Sequence, residues 1–225
     1  MLLKQLINDL PKKIKNLKIK GLETNSKNIQ KGFIFFAIRG YKVNGEKYIA
    51  EAVKKGANVI ICSTKCKFKN ENIVVIKTRD IRFLLSEVSS KFYSLKPKNI
   101  IAVTGTNGKT SVADLYYQIL INNNIPVASI GTLGIKYKKK IIKSDLTSPT
   151  AIHLHRSLEK IKKNKINNVI IETSSHGLHQ QRLDHINFQA GIFTNFSQDH
   201  LDYHKTMRMY LNAKLYLFKY LLKKK

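Results

Sequence analysis

The sequence predicts an α/β protein, in which a small amino-terminal α/β domain precedes a doubly wound parallel sheet that carries a phosphate loop. Three observations lead to this fold class. Residues 100–111 have the order of a buried strand, a glycine turn and a helix, as phosphate loops do. Short apolar runs alternate with stretches of helical spacing, which is typical of parallel sheets. Polar residues follow each later strand, at the edge where doubly wound sheets bind ligands.

Length and composition favour two domains. The 225 residues have an apolar fraction of 43%, which is ordinary for a globular protein and sufficient for one large core or two modest ones. The sequence Lys96-Pro97-Lys98 has the composition of a linker. We therefore expect one domain at residues 1–96 and a second at residues 97–225.

The chain is strongly basic, with a formal net charge of +27 and a pI of about 10.1. Such a charge suggests nucleic acid as a partner, but the lysines are spread from Lys4 to Lys225 among abundant isoleucine and asparagine. This distribution indicates a compositional bias of the whole chain and not a binding patch. We expect no specific nucleic-acid partner and only salt-sensitive, non-specific attraction to polyanions.

The remaining composition indicates a reduced, cytoplasmic protein. Cys62 and Cys66 have no second pair with which to form a metal site, and isolated cysteines are typical of a reducing compartment. Residues 1–10 lack the apolar core and cleavage pattern of a signal peptide, and no apolar run approaches the length of a membrane span. We expect a monomer without a membrane partner.

The first domain is predicted from short apolar runs and helical spacing. Strands are expected at residues 32–38, 58–62 and 73–77, and helices at residues 47–55 and 80–93. Two polar segments, residues 22–26 and 39–45, are expected to be loops between these elements. Residue propensity favours plain turns over binding loops for both segments but leaves the two interpretations open.

The second domain begins with the phosphate loop. Gly105 and Gly108 allow backbone N–H groups to surround an anion, while the following helix directs its positive dipole end to the same point. In such a loop Lys109 contacts the terminal phosphates of a polyphosphate, and the Thr110 hydroxyl holds magnesium. Val103 stands where the consensus loop has its first glycine. The motif is thus a variant, and the alternative is a glycine-rich turn with an unrelated lysine.

The later elements continue the alternation of strands and helices. We expect strands at residues 126–131, 168–173 and 186–194, and helical spacing at residues 111–120, 150–161 and 207–217. Because the carboxyl ends of parallel strands meet at one edge, the polar residues that end these strands should lie close together. They are residues 131–132, 172–176 and 195–200.

Histidines and acidic residues replace lysine in the same part of the chain. Five of the seven histidines fall within residues 176–204, and no lysine occurs between Lys165 and Lys205. Lysine side chains would repel a bound cation, so the absence of lysine from one stretch of a basic chain predicts a cation site there. The acidic residues of this stretch are Glu172, Asp184, Asp199 and Asp202.

The expected cation is magnesium. It prefers oxygen ligands with at most one imidazole, which favours Glu172 and Thr110 as its ligands. Zinc is the less favoured alternative because no cysteine lies nearby. His200 and His204 have a spacing that suits zinc, but residues 201–203 are expected to form a loop.

Together these residues resemble the Mur ligase family, over a range from about residue 22 to residue 218. The resemblance implies an ATP-dependent ligase that forms an acyl phosphate on a substrate carboxylate, which an amine then attacks to give an amide. It is strongest to the members that add the third amino acid to a UDP-N-acetylmuramoyl dipeptide in peptidoglycan synthesis, which supports cell shape and division. The matching positions are residues 105–111, 172–178, Gln180, Arg182, 193–195, 199–204 and 213–214.

The resemblance also implies roles for individual residues. The catalytic set would be Lys109, Glu172, His200 and Lys214, and Thr110, Glu172, His200 and Lys214 would hold Mg²⁺, with Lys214 carbamylated as in the family. Without the resemblance, Lys214 is expected to be a solvated helix lysine. ATP would be bound by Gly105, Thr106, Asn107, Gly108, Lys109, Thr110 and Ser111. The UDP-sugar substrate would be contacted by Leu22, Ser26, Thr147, Ser148, Ser174, Gln180 and Arg182.

The length of the chain departs from the family, whose members continue with a further half. That half completes the central sheet and selects the incoming amino acid. We therefore expect an incomplete sheet of about four parallel strands, an exposed apolar edge and no turnover by this chain alone. The residues leave the added amino acid open, and meso-diaminopimelate is preferred to L-lysine only because it is the commoner one.

Two other classes of function remain open. One is a nucleotide- and UDP-sugar-binding fragment without turnover, and the other is a basic nucleic-acid-binding protein that uses its phosphate loop differently. Turnover separates the ligase from the fragment. A preference for DNA over the UDP-muramoyl dipeptide at physiological salt, where charges are well screened, would indicate the nucleic-acid-binding protein.

Overall fold

The computed structural model describes residues 1–8, 10–40, 43–138, 140–143 and 146–223. The chain forms two compact units, Met1–Phe92 and Tyr93–Lys225. In the polar segment 39–45, Tyr41 and Lys42 lie outside the described residues. No helix within the described ranges is long and apolar enough to cross a membrane.

The first unit contains a four-stranded parallel sheet. Its strands are β1 Gly21–Glu23, β2 Phe33–Phe36, β3 Ala57–Ser63 and β4 Val74–Thr78, and its helices are α1 Ile49–Lys54 and α2 Ile81–Phe92. Short 3₁₀ turns occur at Leu3–Gln5, Lys12–Ile14, Ser26–Asn28 and Gly45–Tyr48. The strand order is β1-β2-β3-β4, and all neighbouring pairs are parallel. Phe35 of β2 and Ile60 of β3 pack with Ile49 and Ala52 of α1 in one hydrophobic cluster.

Residues 22–26 are predicted to form a loop, which is wrong for Leu22 and Glu23. These two residues belong to β1, the edge strand that pairs with β2. A Cβ on Gly21 would lie 2.5 Å from the Phe33 ring, so this strand uses glycine where an alternating pattern would show a side chain. Three residues that include a glycine are too few to carry a period-two signal.

The two cysteines of the first unit are free and buried. Burial, followed by a hydrogen bond with Cys66, raises the pKa of the Cys62 thiol to about 12. Cys62 is therefore protonated and unreactive at neutral pH.

The second unit contains a six-stranded mixed sheet in the order β10-β5-β9-β6-β7-β8. Its strands are β5 Asn99–Thr104, β6 Val127–Gly131, β7 Gly134–Tyr137, β8 Lys140–Ile142, β9 Asn168–Glu172 and β10 Ala190–Phe193. Its helices are α3 Lys109–Asn122, α4 Ala151–Lys163, α5 Ser175–His179, α6 Leu201–His204 and α7 Met207–Tyr216, and a π-helical turn follows at Leu217–Leu221.

Helices cover both faces of this sheet. Ala102 of β5 and Ile171 of β9 belong to the core that includes α4, whereas the neighbouring Val103 and Ile170 pack with Ala113 of α3. Successive side chains of a strand point to opposite faces, so α3 and α4 lie on opposite sides. Strands β10, β5, β9 and β6 are parallel. The prediction of a doubly wound parallel sheet is confirmed.

The antiparallel hairpin of β7 and β8 is not among the predicted elements. It extends the sheet beyond β6. In β7 the side chains of Ile135 and Tyr137 are buried, whereas Lys136 between them is partly exposed. The strand does alternate, but it is only four residues long, and the lysines that surround it hide the pattern.

Two further boundaries differ from the predictions. The strand expected at residues 186–194 is limited to β10. Ile186 and Phe188 are buried but precede the sheet, and Phe188 N donates instead to Leu221 O at 3.3 Å. The loop expected at residues 201–203 is part of the one-turn helix α6, which is too short to produce a helical period.

Candidate functional site

The phosphate loop joins β5 to α3 and contains two glycines in conformations that favour glycine. Gly105 has a φ of +147°, and a Cβ there would lie 1.9 Å from Thr194 Oγ1. Gly108 has a φ of +81° and caps the amino end of α3. Val103, which replaces the first glycine of the consensus loop, is buried in the core between β5 and α3. The departure from the consensus therefore serves packing.

A second loop, residues 194–197, holds the phosphate loop in place. Asn195 O accepts a hydrogen bond from Thr106 N at 3.0 Å, and Asn195 Oδ1 accepts one from Asn107 N at 2.9 Å. Thr194 Oγ1 donates to Asn107 O at 2.6 Å. These bonds shape the loop through its backbone. Neither Thr194 nor Asn195 is among the predicted site residues, and their position after β10 is the signal that could have found them.

Two lysines, Lys109 and Lys214, converge on the backbone of the phosphate loop. Lys109 Nζ donates to Gly105 O at 2.9 Å and to Thr106 O at 2.7 Å. Lys214 Nζ, from α7, donates to the same Gly105 O at 2.6 Å. It also lies 4.4 Å from the centre of the Tyr210 ring. The amino groups of two lysines therefore share one carbonyl oxygen. Lys214 and Gly105 are 109 residues apart in the sequence.

This environment lowers the pKa of both lysines. Burial, followed by the charge of Lys109, lowers the pKa of Lys214 to about 7, with Asp199 opposing the shift. Burial also lowers the pKa of Lys109, although Glu172 and Asp199 oppose it. Lys214 is 1% exposed, so the expectation of a solvated helix lysine is wrong. A buried amine that titrates near neutrality is typical of a functional group.

The carboxylate of Glu172 gathers hydroxyl groups at the carboxyl end of β9. Its Oε2 accepts hydrogen bonds from Thr110 Oγ1 at 2.7 Å and Thr132 Oγ1 at 3.1 Å, and its Oε1 accepts one from Thr132 N at 3.0 Å. Glu172 is 2% exposed, and Gly131 leaves room for it, since a Cβ there would lie 2.0 Å from Oε1. Carboxylate and hydroxyl oxygens are the ligands that Mg²⁺ prefers, so these residues fit the predicted ion.

His200 lies on the same side of the phosphate loop. Its φ is +52°, its N–H donates to Asp199 Oδ1 at 2.8 Å, and its ring lies 4.8 Å from that of His176. Across the described ranges, no group of three or more His, Cys, Asp or Glu residues is arranged to hold a metal ion.

The histidine cluster is packed as aromatic rings. The His176 ring lies 4.1 Å from that of Tyr203 and 5.5 Å from that of His204. Burial, together with the neighbouring histidines, lowers the pKa of His204 to about 4. Burial and His200 also lower the pKa of His176. The His204 imidazole is thus neutral at pH 7.

A cleft of about 270 Å³ joins these groups. It is lined by residues 106–111, Thr132, Thr147, Ser174, Ser175, His200, Tyr210 and Lys214. Predicted nucleotide, substrate and metal residues are thereby brought together. Thr132, Ser175 and Tyr210 are not among the predicted site residues. The Tyr210 hydroxyl lies 3.2 Å from Thr106 Oγ1, and only its place on the helix of Lys214 could have indicated it.

The other predicted substrate residues of this unit form a hydrogen-bonded chain behind the cleft. Ser148 Oγ donates to Glu172 O at 3.0 Å and accepts from Ser174 N at 2.9 Å. Arg182 Nη1 donates to Ser148 O at 2.8 Å, and its Nη2 donates to Gln180 Oε1 at 2.7 Å. These hydrogen bonds link the predicted substrate residues to the backbone of Glu172. The substrate residues and the Glu172 carboxylate are therefore positioned by the same network.

The first unit holds the remaining two predicted substrate residues. Leu22 is completely buried on β1. Ser26 is 4% exposed, and its Oγ donates to Glu51 Oε2 at 2.7 Å. Both side chains serve the packing and hydrogen bonding of this unit.

The fold and the site of the second unit define a class of protein, the α/β proteins that bind nucleotide phosphates in a loop between a strand and a helix. Two family models match the chain. The Mur ligase middle domain matches residues 103–225, and the model described as Mur ligase family, catalytic domain, matches residues 18–93. The chain belongs to the Mur ligase family, which confirms the resemblance seen in the residues.

Similar proteins carry the name UDP-N-acetylmuramoyl-L-alanyl-D-glutamate--2,6-diaminopimelate ligase. The one from Brucella melitensis is 39% identical over 220 residues, which are 97% of this chain and 45% of that protein. The one from Rickettsia bellii is 43% identical over 206 residues, 89% of this chain and 42% of that protein. The chain thus spans about half the length of the curated relatives it matches.

Solved structures share the fold. A ligase of the same name superimposes with a TM-score of 0.84 at 28% identity, covering 99% of this chain and 46% of that chain. A MurF ligase from Thermotoga maritima in complex with ADP has a TM-score of 0.59 at 18% identity, covering 90% of this chain and 43% of that chain. At that identity the second likeness concerns the fold alone.

Proposed function

We propose that the protein is an ATP-dependent ligase that adds meso-diaminopimelate to UDP-N-acetylmuramoyl-L-alanyl-D-glutamate in peptidoglycan synthesis. This chain supplies its UDP-sugar-binding domain, residues 1–96, and part of its ATP-binding central domain, residues 97–225. One observation carries the proposal: a single cleft contains the phosphate loop, Lys214, and the two threonines that hold Glu172. The name shared by the relatives supports the choice of substrates.

The reaction has two steps. A carboxylate oxygen of the dipeptide attacks the γ-phosphorus of ATP, the bond to ADP breaks, and an acyl phosphate forms. The amine nitrogen of the incoming amino acid then attacks the acyl carbon and loses a proton as phosphate leaves, which gives an amide, ADP and phosphate. No covalent bond to the protein is needed, so catalysis depends on positioning and on charge.

Lys109 and α3 supply positive charge to the phosphates. In the structure Lys109 Nζ is held by two carbonyl oxygens of its own loop. It would exchange these bonds for phosphate oxygens when ATP binds. The amino end of α3 starts at the same residue and adds its dipole. Lys109 therefore lies beside the phosphate loop, and a rotation of its side chain would bring Nζ to the phosphates of a bound nucleotide.

Thr110 and Glu172 are the residues that would hold Mg²⁺. When bound, the ion would neutralise negative charge on the phosphates. The chain itself keeps the carboxylate in position through Thr132, which donates from both its backbone and its hydroxyl. His200 and a carbamylated Lys214 would hold a second ion, since both line the cleft.

The proposal is tested by phosphate release from ATP in the full-length protein. Release should require both the UDP-muramoyl dipeptide and meso-diaminopimelate, and L-lysine should replace the latter poorly. Release with L-lysine alone would identify the alternative ligase, and release without any amino acid would contradict the ligase proposal. We further propose that the enzyme is a cytoplasmic monomer, because ATP and UDP-sugars are cytoplasmic metabolites, and light scattering tests the monomer.

A second candidate is a nucleotide- and UDP-sugar-binding fragment without turnover. It is favoured by apolar side chains that this chain leaves exposed: Ile192 of the edge strand β10 is 36% exposed, and Leu115 and Ile119 of α3 are 61% and 59% exposed. Calorimetry should then show that this chain binds ATP and the dipeptide, while no phosphate is released when meso-diaminopimelate is added.

A further inference from the structure

A second and larger cavity lies at the opposite end of the second-unit sheet from the phosphate loop. It is a groove of about 870 Å³ between the end of α3, the segment that leads into β6, the β7–β8 hairpin and the turn after α4. It shares no lining residue with the cleft of the candidate site. The proposed ligase reaction makes no use of it.

The rim of the groove is basic. No aspartate or glutamate is among the described residues that line it. Lys136 forms an ion pair with Asp114, and Lys138 donates to the neutral Asn164 Oδ1 at 3.0 Å. Most of the positive charge at the rim therefore remains available to an anion. The four lysines of the rim are Lys136, Lys138, Lys140 and Lys165.

Two of the rim lysines occupy backbone conformations that cost free energy. Lys138 has a φ of +47° and Lys165 a φ of +62°, in the left-handed region that favours glycine or asparagine. Lys165 directly follows the last residue of the α4 cap, where glycine is the usual residue. A lysine at each position keeps a cation at the rim where the backbone alone would favour glycine.

The floor of the groove is apolar and partly exposed to solvent. It includes Ile121, Ile125, Val127, Ile141 and Ile166. Ile125 and Ile141 are 42% and 62% exposed. An inorganic anion would neutralise the rim and leave these side chains in water, whereas a plain hydrocarbon would cover them and leave the lysines unpaired. Only a molecule with both an apolar body and an anionic end matches rim and floor together.

We propose that this groove binds a small anionic amphiphile, a molecule with an acyl or aromatic body and one carboxylate, sulfonate or phosphate group. The body covers Ile125 and Ile141, and the anion is met by Lys138, Lys140 and Lys165. The volume of the groove is that of small-molecule sites in proteins, which bind a largely apolar body through a few polar contacts.

The test is a calorimetric titration of this chain with dodecanoate below its micelle concentration. We expect saturable binding at one site, and NMR should show shifts of the Ile121, Ile125 and Ile141 methyl groups but not of Ile60 in the first unit. Dodecanol and inorganic phosphate should each bind at least about tenfold more weakly. Dodecanol can cover the apolar floor but carries no charge for the lysines, and phosphate can pair with the lysines but covers no apolar side chain. Equal binding of phosphate would mean a plain ion site, equal binding of dodecanol would mean a plain apolar patch, and either result would overturn the proposal.

Charge reversal locates the anion. Lys138→Glu combined with Lys140→Glu should weaken dodecanoate binding about tenfold or more, since attractive contacts become repulsive. The matched control is Lys12→Glu combined with Lys13→Glu, which makes the same change in net charge on an exposed turn of the first unit. The control should leave the affinity unchanged. An equal loss in both variants would show that binding follows net charge, and would overturn the site.

Discussion

The two ends of the second-unit sheet are built in different ways. At the carboxyl end, Glu172 accepts three hydrogen bonds, and Lys214 is 1% exposed and donates to Gly105 O at 2.6 Å. At the other end, lysines and isoleucines of the groove are mostly exposed to solvent. Contacts between buried groups are not screened, whereas exposed charges are. Single substitutions should therefore have large effects at the carboxyl end and small ones in the groove.

The largest effect is expected for Lys109→Ala. It should abolish measurable ATP binding by this chain, and in the full-length enzyme lower kcat by about three orders of magnitude, because no other group replaces its charge on the phosphates. The fold should persist, since the side chain donates its hydrogen bonds to backbone carbonyls of its own loop and is not part of a hydrophobic core. Lys140→Ala, in the groove, removes the same charge and should leave ATP binding unchanged. Equal ATP affinities for the parent and Lys109→Ala would contradict the role of this lysine.

Lys214→Ala should have the next largest effect, about a hundredfold loss of kcat in the full-length enzyme. Carbon dioxide reacts with a neutral amine to give a carbamate and a proton. With a pKa of about 7, the neutral form of Lys214 increases as the pH rises through 7, so activation by added bicarbonate should rise over the same range.

The control for this lysine is Lys219→Ala, because Lys219 is exposed on the following turn. It should keep full activity at every pH. A small carboxylate such as acetate should partly restore Lys214→Ala and have no effect on the control. A high-resolution map of the magnesium-bound enzyme with an unmodified amine at Lys214 would rule out the carbamate.

Gly131→Ala tests how closely the carboxyl end is packed. The new Cβ would lie 2.0 Å from Glu172 Oε1, so the carboxylate must move, at a cost of about 1–3 kcal/mol in the free energy of unfolding. Denaturant unfolding should show this loss, and the affinity for ATP with Mg²⁺ should fall as well. Gly191→Ala on β10 is the control, since its Cβ would meet only the ends of side chains at 3.0 Å or more. If the two variants are equally stable, Gly131 is not required for packing.

The smallest effect is expected for Thr132→Val. The variant loses the hydroxyl that donates to Glu172 Oε2 but keeps the backbone donor to Oε1. One lost hydrogen bond corresponds to about 1 kcal/mol, or roughly a fivefold increase in the Mg²⁺ concentration needed for ATP binding. Thr64→Val, on an exposed turn of the first unit, should leave this concentration unchanged. An unaltered Mg²⁺ requirement in Thr132→Val would remove Thr132 from the site.

Much of the fold follows from local signals. The helix at residues 150–161 is predicted within two residues of α4, because Thr150 caps it and its apolar residues recur with helical spacing. The phosphate loop is predictable because Gly105 and Gly108 must adopt conformations that favour glycine. Strand β1 and the β7–β8 hairpin are missed, since strands of three or four residues stay below the length at which a period is visible.

The amino-acid sequence by itself determined the order of the longer strands and helices, the phosphate loop and the family, because these depend on local periods, on glycine conformations and on short motifs. Only the tertiary structure decided which groups meet. Thr132 joins Glu172 across 40 residues, and Lys214 reaches Gly105 across 109. The burial that lowers the pKa of Lys214 is produced by the elements packed around α7. No local pattern contains this information, because a helix lysine has the same neighbours in sequence whether it faces water or a phosphate loop.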